Sequence, residues 1–234
     1  MAENKSIQIQ VYEELKSNIM ELRLFPGQVM STQEMATRMN VSRTPVREAF
    51  LHLQSEGLVE MIPQRQTRVS KISIERVGQE KFIRECLEVG VISEFLKTKK
   101  REAILEMSEM IALQKRCMRE KKPAGFVDAD DCFHKVLFIC AGQYMAWKTI
   151  QSTQGHYNRF RVLLVKKDEI LRSSIRQHER IVKLLEDGDE DAVRNELVSH
   201  FRRVDIQEVG LTEEYPDYFE TGSETRKENV ITAL

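Results

Sequence analysis

The sequence predicts a mainly α-helical chain, with three helices and a short β-hairpin first and an all-helical antiparallel bundle after them. Three observations carry this. Apolar residues recur at helical spacing over most of the length. Strand-like runs occur only at 58–62 and 67–72. Beyond residue 73 short breaks separate long amphipathic segments, the pattern of a bundle. The composition, 41% hydrophobic and 31% charged, suits a globular chain and not a disordered one. The longest unbroken apolar run, residues 136–141, is far short of the roughly 20 residues a membrane span needs. The polar start Met-Ala-Glu-Asn-Lys has no apolar signal-peptide core, so a cytoplasmic protein without membrane contact is expected.

Residues 7–24 carry a helical stripe (Ile9, Val11, Leu15, Ile19, Leu22) that Pro26-Gly27 should end. Ser31 opens a second helix, and Glu34 three residues on completes a capping box. Asn40 is suited to leave that helix, because it tolerates left-handed backbone. Ser42 can cap a third helix, with Pro45 in its first turn, where no backbone donor is needed. Gly57 stops this helix, and the two strand-like runs follow, joined by Pro63-Gln64-Arg65-Gln66. Helix, helix, turn, helix and hairpin in this order form the winged helix-turn-helix pattern.

Further helices are predicted near 74–98, 101–121, 126–140, 143–166, 170–187 and 189–208. The expected division is therefore 1–73 for the winged unit, 74–208 for the bundle and 209–234 for an extended or mobile acidic tail. Cys86, Cys117, Cys132 and Cys140 form no CxxC pair and lie among apolar residues, which predicts reduced core cysteines. His52 and His156 read as surface or packing residues.

Net charge is −1, so charge alone does not announce nucleic acid, but its distribution is uneven. Residues 33–71 hold six Lys/Arg against four Asp/Glu, whereas 205–234 hold eight acids against two bases. Arg43 and Arg47 stand four apart at the start of the third helix and so share a face. Arginine has the fork that binds guanine O6 and N7 in the major groove, and Thr44 with the helix N-terminus can hold a phosphate. Arg65 and Arg68 flank the wing tip. An exposed arginine pair on a helix is usually a solvated face; its place after a tight turn and before a hairpin favours DNA.

These residues carry a resemblance. Val11-Tyr12-Glu13-Glu14-Leu15, Leu24-Phe25-Pro26-Gly27, Val41-Ser42-Arg43-Thr44-Pro45-Val46-Arg47-Glu48-Ala49 and Leu53-Gln54-Ser55-Glu56-Gly57-Leu58-Val59 resemble the GntR family of bacterial regulators over residues 10–72. The resemblance implies that Arg43, Thr44 and Arg47 contact a double-stranded operator, with Ser42 and Gln33 beside them. It also implies that a wing bearing Arg65, Thr67 and Arg68 enters a groove. Two positions depart: Gln33 stands where many relatives have arginine, and Gln66 where a wing glycine is common.

In the bundle, Asp130 and His134 are four apart on one helix face, and His178 and His200 sit on apolar faces of later helices. A lone histidine on such a face is more often a satisfied core residue. Three with a matched aspartate point to a divalent transition metal, zinc first and nickel, manganese or iron as alternatives, and not to calcium or magnesium. Residues 79–206 resemble the FCD ligand-binding domain of FadR-type GntR regulators. The resemblance rests on Asp130-Asp131-Cys132-Phe133-His134-Lys135-Val136-Leu137, Gln177-His178-Glu179-Arg180-Ile181 and Ser199-His200-Phe201. It implies that Asp130, His134, His178 and His200 are the metal ligands and that a small carboxylate effector binds at the metal. It further implies that Arg84 faces this pocket; Asn158 and Arg161 are added as effector contacts. The expected protein is a homodimeric regulator on a palindromic operator, with repressor the commoner role in the family. Two alternatives use the same residues: a metal-dependent enzyme acting on a small organic acid, and a regulator whose metal is structural only.

Overall fold

The computed structural model describes residues 6–62, 66–98, 101–202 and 208–221. It divides into two compact units, one running to Arg76 and taken up again at Thr212, the other from Val77 to Leu211.

In the first unit α1 (Ile7–Met20) is capped by Ser6, whose hydroxyl accepts from the Ile9 N–H. It ends four residues before the expected limit because Leu22 takes a left-handed φ of 61° and turns the chain, after which Leu24 is buried separately. Helix α2 (Thr32–Arg38) begins where Ser31 accepts from the Glu34 N–H at 3.0 Å, and the chain leaves it through Asn40 at φ 54°. Helix α3 (Arg43–Ser55) starts at Ser42, which has extended cap geometry but makes no side-chain capping bond, contrary to expectation. Gly57, at φ 71°, turns the chain out of α3 in a conformation that costs glycine little.

Strands β2 (Val59–Ile62) and β3 (Gln66–Val69) pair antiparallel as expected, and β1 (Val29–Met30) joins β3 as a third strand that the sequence did not announce. Two residues are too few to show an alternation, so β1 exists through its partner. The helices and sheet close over an apolar core that includes Leu15, Ile19, Val46, Phe50, Leu53 and Val69.

The second unit is helical among its described residues: α4 (Ile74–Thr98), α5 (Arg101–Arg119), α6 (Pro123–Cys140), α7 (Tyr144–Thr153), α8 (Gly155–Leu164), α9 (Asp168–Asp187) and α10 (Glu190–Arg202). Helix α5 packs on α6 and α9, α9 on α10, and α6 on α7 and α8. The single helix expected over 143–166 is broken at Gln154. The cause lies far away in sequence. The buried Glu80 carboxylate accepts from the backbone N–H groups of His156 (2.9 Å) and Tyr157 (2.8 Å), satisfying donors that open the N-terminus of α8. Among the described residues no helix is long and apolar enough to cross a membrane.

Two further expectations change. Only Cys117 of the four free cysteines is buried; Cys86 and Cys132 are exposed and Cys140 is intermediate. The segment read as an extended tail is partly structured: α11 (Glu208–Glu214) is followed by a 3-10 turn, Pro216–Tyr218, and Phe219 then pairs parallel with Ile72. The Ile72 N–H donates to the Tyr218 carbonyl at 2.8 Å, and the Glu220 N–H to the Ile72 carbonyl at 3.0 Å. Phe219 is buried, and Tyr218 stacks on Phe25. Truncating Phe219 to alanine should therefore cost about 3–5 kcal/mol and raise hydrogen exchange at the Ile72 amide; unchanged exchange would show that the tail does not hold this unit.

Candidate functional site

Helix α3 divides cleanly between core and surface. Val46, Ala49, Phe50 and Leu53 are buried, while Ser42, Arg43, Thr44 and Arg47 are exposed. The hydrophobic face thus fixes the helix and turns both arginines outward. The Arg43 Nε donates to Gln33 Oε1, and Gln33 Nε2 reaches Thr37 Oγ1 at 3.2 Å, so Gln33 at the start of α2 steadies Arg43. Arg47 makes no hydrogen bond or ion pair among the described residues.

The wing residues behave differently. Arg68 is tied to Glu60, its cross-strand partner, at 2.6 Å. Thr67 is buried, which corrects its reading as a DNA contact: a strand alternates faces, and Thr67 points into the core. Arg65 lies outside the described residues.

The second site is a pocket inside the helical unit. Helix α6 supplies Asp130, Asp131 and His134; α9 supplies His178 and α10 His200. One ligand atom from each of Asp130, His134, His178 and His200 lies within 4.8 Å of the others. His178 Nε2 is 3.5 Å from Asp130 Oδ1, and His134 Nε2 is 3.7 Å from Asp130 Oδ2. The other nitrogen of each ring meets an acceptor. His134 Nδ1 is 2.5 Å from Glu88 Oε2, His178 Nδ1 is 2.9 Å from Gln114 Oε1, and His200 Nδ1 is 3.2 Å from Gln177 Oε1. Donation from Nδ1 of His178 and His200 to the glutamine oxygens leaves their Nε2 lone pairs for a ligand, the arrangement that supports metal-binding histidines. His134 Nδ1 lies against Glu88 as an ion-pair contact and makes no hydrogen bond in this geometry. His134 Nε2 is buried without a hydrogen-bond partner.

Two arginines complete the pocket. Arg84 on α4 is only 1% exposed. Its Nε bonds Glu88 at 2.7 Å and its Nη1 bonds Asp131 at 2.8 Å, whereas its Nη2 is buried without a hydrogen-bond partner. Arg161 on α8 pairs with Asp130 through Nη2, and through Nη1 with Asp131 at 2.7 Å and with Asn158 Oδ1 at 2.8 Å. Burial pushes the carboxyls of Glu88, Asp130 and Asp131 upward, but the neighbouring guanidinium and imidazole groups outweigh it. His134 and Arg84 hold Glu88 low, Arg161, His134, His178 and Arg84 hold Asp130 far below the usual range, and Arg161 and Arg84 hold Asp131 low. Burial pushes the Tyr157 hydroxyl up to about 12, so it is a neutral donor at physiological pH.

The sequence matches the description "Bacterial regulatory proteins, gntR family" over residues 7–69 and the FCD domain over residues 82–203. The chain belongs to the GntR family. It is a transcription regulator, with a DNA-binding helix-turn-helix and an FCD effector domain, and not an enzyme. It is 31% identical to the HTH-type transcriptional repressor RspR of Escherichia coli over 90% of this chain and 92% of that protein. It is 30% identical to an HTH-type transcriptional regulator in an unstable DNA locus of Streptomyces ambofaciens, covering 92% of this chain and 90% of that one. The solved structure of E. coli McbR/YncC has the same fold, with a TM-score of 0.76 at 19% identity over 90% of this chain and 99% of that one.

Within this GntR chain, the residues expected to form the pocket come together: Asp130, His134, His178, His200, Arg84, Asn158 and Arg161. Sequence reading missed Glu88, Gln114, Asp131 and Gln154. Glu88 could have been found, since it stands four residues after Arg84 on one helix face; Gln114 and Gln154 carry no local signal. His156 is buried, and His52 stacks on Tyr12 at 4.3 Å.

The three depressed carboxyls set an acid limit. Their folded values lie below the ordinary values of about 3.9 for Asp and 4.3 for Glu, so their stabilisation is complete above that range and is lost as pH falls through the folded values. The melting temperature should fall steeply below about pH 4, and less steeply in Asp131→Asn; parallel pH profiles would remove Asp131 from this account.

Proposed function

We propose that this chain is a homodimeric repressor that binds a palindromic operator and is controlled by a small carboxylate at a divalent metal held by Asp130, His134, His178 and His200. The observation that carries the reading is the convergence of these four groups within 4.8 Å, with each histidine's Nδ1 facing a fixed acceptor. The donor set of three imidazoles and one carboxylate fits a transition metal, with zinc the first candidate and nickel, manganese and iron the others. When bound, such an ion supplies a Lewis-acid position that a carboxylate oxygen can fill. The chain's own contribution is Arg84, whose Nη2 lies 3.7 Å from Asp130 without a hydrogen bond and offers a second, charge-assisted contact. Asn158 and Arg161 flank it.

At the other end, exposed Arg43 and Arg47 read base edges in the major groove, and Gln33 orients Arg43. Two-fold symmetry of the dimer requires a palindromic site, whose half-site spacing matches the distance between the two recognition helices. Control then requires only that the effector bind the DNA-compatible and DNA-incompatible arrangements with different affinity.

Arg47→Ala should weaken operator binding by about 1–3 kcal/mol, measured by fluorescence anisotropy at fixed salt; unchanged affinity would reject α3 as the reading helix. His134→Ala should abolish metal retention by elemental analysis and abolish the effector response, while basal operator binding persists. Full metal content in that variant would sink the site.

A further inference from the structure

The pocket holds more charge than an ion and a carboxylate require. Asp131 is the surplus member. It lies next to the expected ligand Asp130 in sequence and shares Arg84 and Arg161 with it, but it meets the amides of Gln154 and Asn158 where Asp130 meets His134 and His178. Arg84 Nη1 and Arg161 Nη1 both donate to its Oδ1, at 2.8 and 2.7 Å. Gln154 Nε2 and Asn158 Nδ2 both approach its Oδ2 at 3.4 Å. Two guanidiniums and two amides drawn from two helices and a helix break converge on a single carboxylate, which is how a protein binds a ligand carboxylate. Here the chain fills that place with its own side chain.

The consequence is a count of what is left. Of the Arg84 nitrogens, Nε is taken by Glu88 and Nη1 by Asp131, and only Nη2 remains without a hydrogen bond. Both Nη atoms of Arg161 are committed, to Asp130, Asp131 and Asn158. Among the charged side chains that contact one another here, three carboxylates (Glu88, Asp130, Asp131) face two guanidiniums (Arg84, Arg161). A divalent ion on the four ligands would leave a single uncompensated positive charge. A second carboxylate in so enclosed a place would meet Asp131 with no free cation to neutralise it, and like charges in a poorly solvated pocket repel strongly.

We propose that Asp131 is a specificity-determining residue that occupies the pocket's second anion subsite and thereby restricts the effector to a monocarboxylate. This rests on the reading of the pocket as a metal-dependent carboxylate site. It goes further by naming the charge class the site accepts and the side chain that sets it.

The test is isothermal titration calorimetry on the zinc-loaded full-length chain with acids matched in carbon number, lactate against tartronate and gluconate against glucarate. In each pair that binds, the monocarboxylate should bind at least ten-fold more tightly than the dicarboxylate. In Asp131→Asn the preference should shrink ten-fold or reverse, because the variant frees both Nη1 donors and removes the repelling charge. A dicarboxylate that binds the wild-type chain as tightly as its partner overturns the proposal and leaves the carboxylate-site reading intact. A folded Asp131→Asn chain with an unchanged preference also overturns it. If it does not fold, the wild-type pairs decide alone. Absence of binding by every acid of both classes, with zinc retained, removes the carboxylate reading and this inference with it.

Discussion

Arg84 is buried with Glu88 in the middle of a helical unit, where water cannot solvate either charge. An isolated ion in such a place costs several kcal/mol even after relaxation, so the pair can exist only within a set of mutually compensating groups. Asp130, Asp131 and Arg161 complete that set, and Arg84 also lies 6.0 Å from the ring centres of Trp147 and Phe201. Much of the unit's architecture follows. Helices α4, α6 and α8 must approach closely enough for side chains from each to meet, and α7 must stop at Gln154 so that its amide reaches the same carboxylate.

A well-packed apolar core would supply stability with less desolvation. The network instead supplies position. Glu88 orients His134, Gln114 orients His178 and Gln177 orients His200, so that the three rings converge with centroids 4.9–5.3 Å apart. Fixed donors and an unsatisfied guanidinium nitrogen are what a small anionic effector needs in order to be recognised by geometry as well as by charge. The DNA-reading unit follows the opposite logic. Its core is apolar, and the arginines proposed to read DNA are outside it, on a helix whose buried face holds them at fixed angles.

The sequence carried a good deal of this. Periodicity placed α1 to α6 and α9 to within a few residues and the start of α10 to within one, and the stretch Ser42 to Ala49 marked the helix proposed to read DNA. Asp130 and His134 were legible as a pair because a helix brings residues four apart onto one face. His178 and His200 were legible as partners only through resemblance, since nothing local says that two later helices return to the same point. Thr67 was misread as a DNA contact because neither composition nor spacing reveals which face of so short a strand is buried.

What the sequence determined by itself is the local, periodic part: which segments are helical, where a cap or a glycine ends them, and which face of α3 is polar. These depend on residues within a turn or two of one another. The tertiary structure decided the rest. Glu80 breaks a helix 76 residues away by capturing its N-terminal amides. Val29 and Met30 become a strand only beside β3, and Phe219 finds Ile72 from the far end of the chain. Asp131 bridges Arg84 and Arg161, which also pair with its neighbour Asp130. Each of these is a contact between residues distant in sequence, whose energy depends on burial and on the partner's position, and no local pattern encodes either.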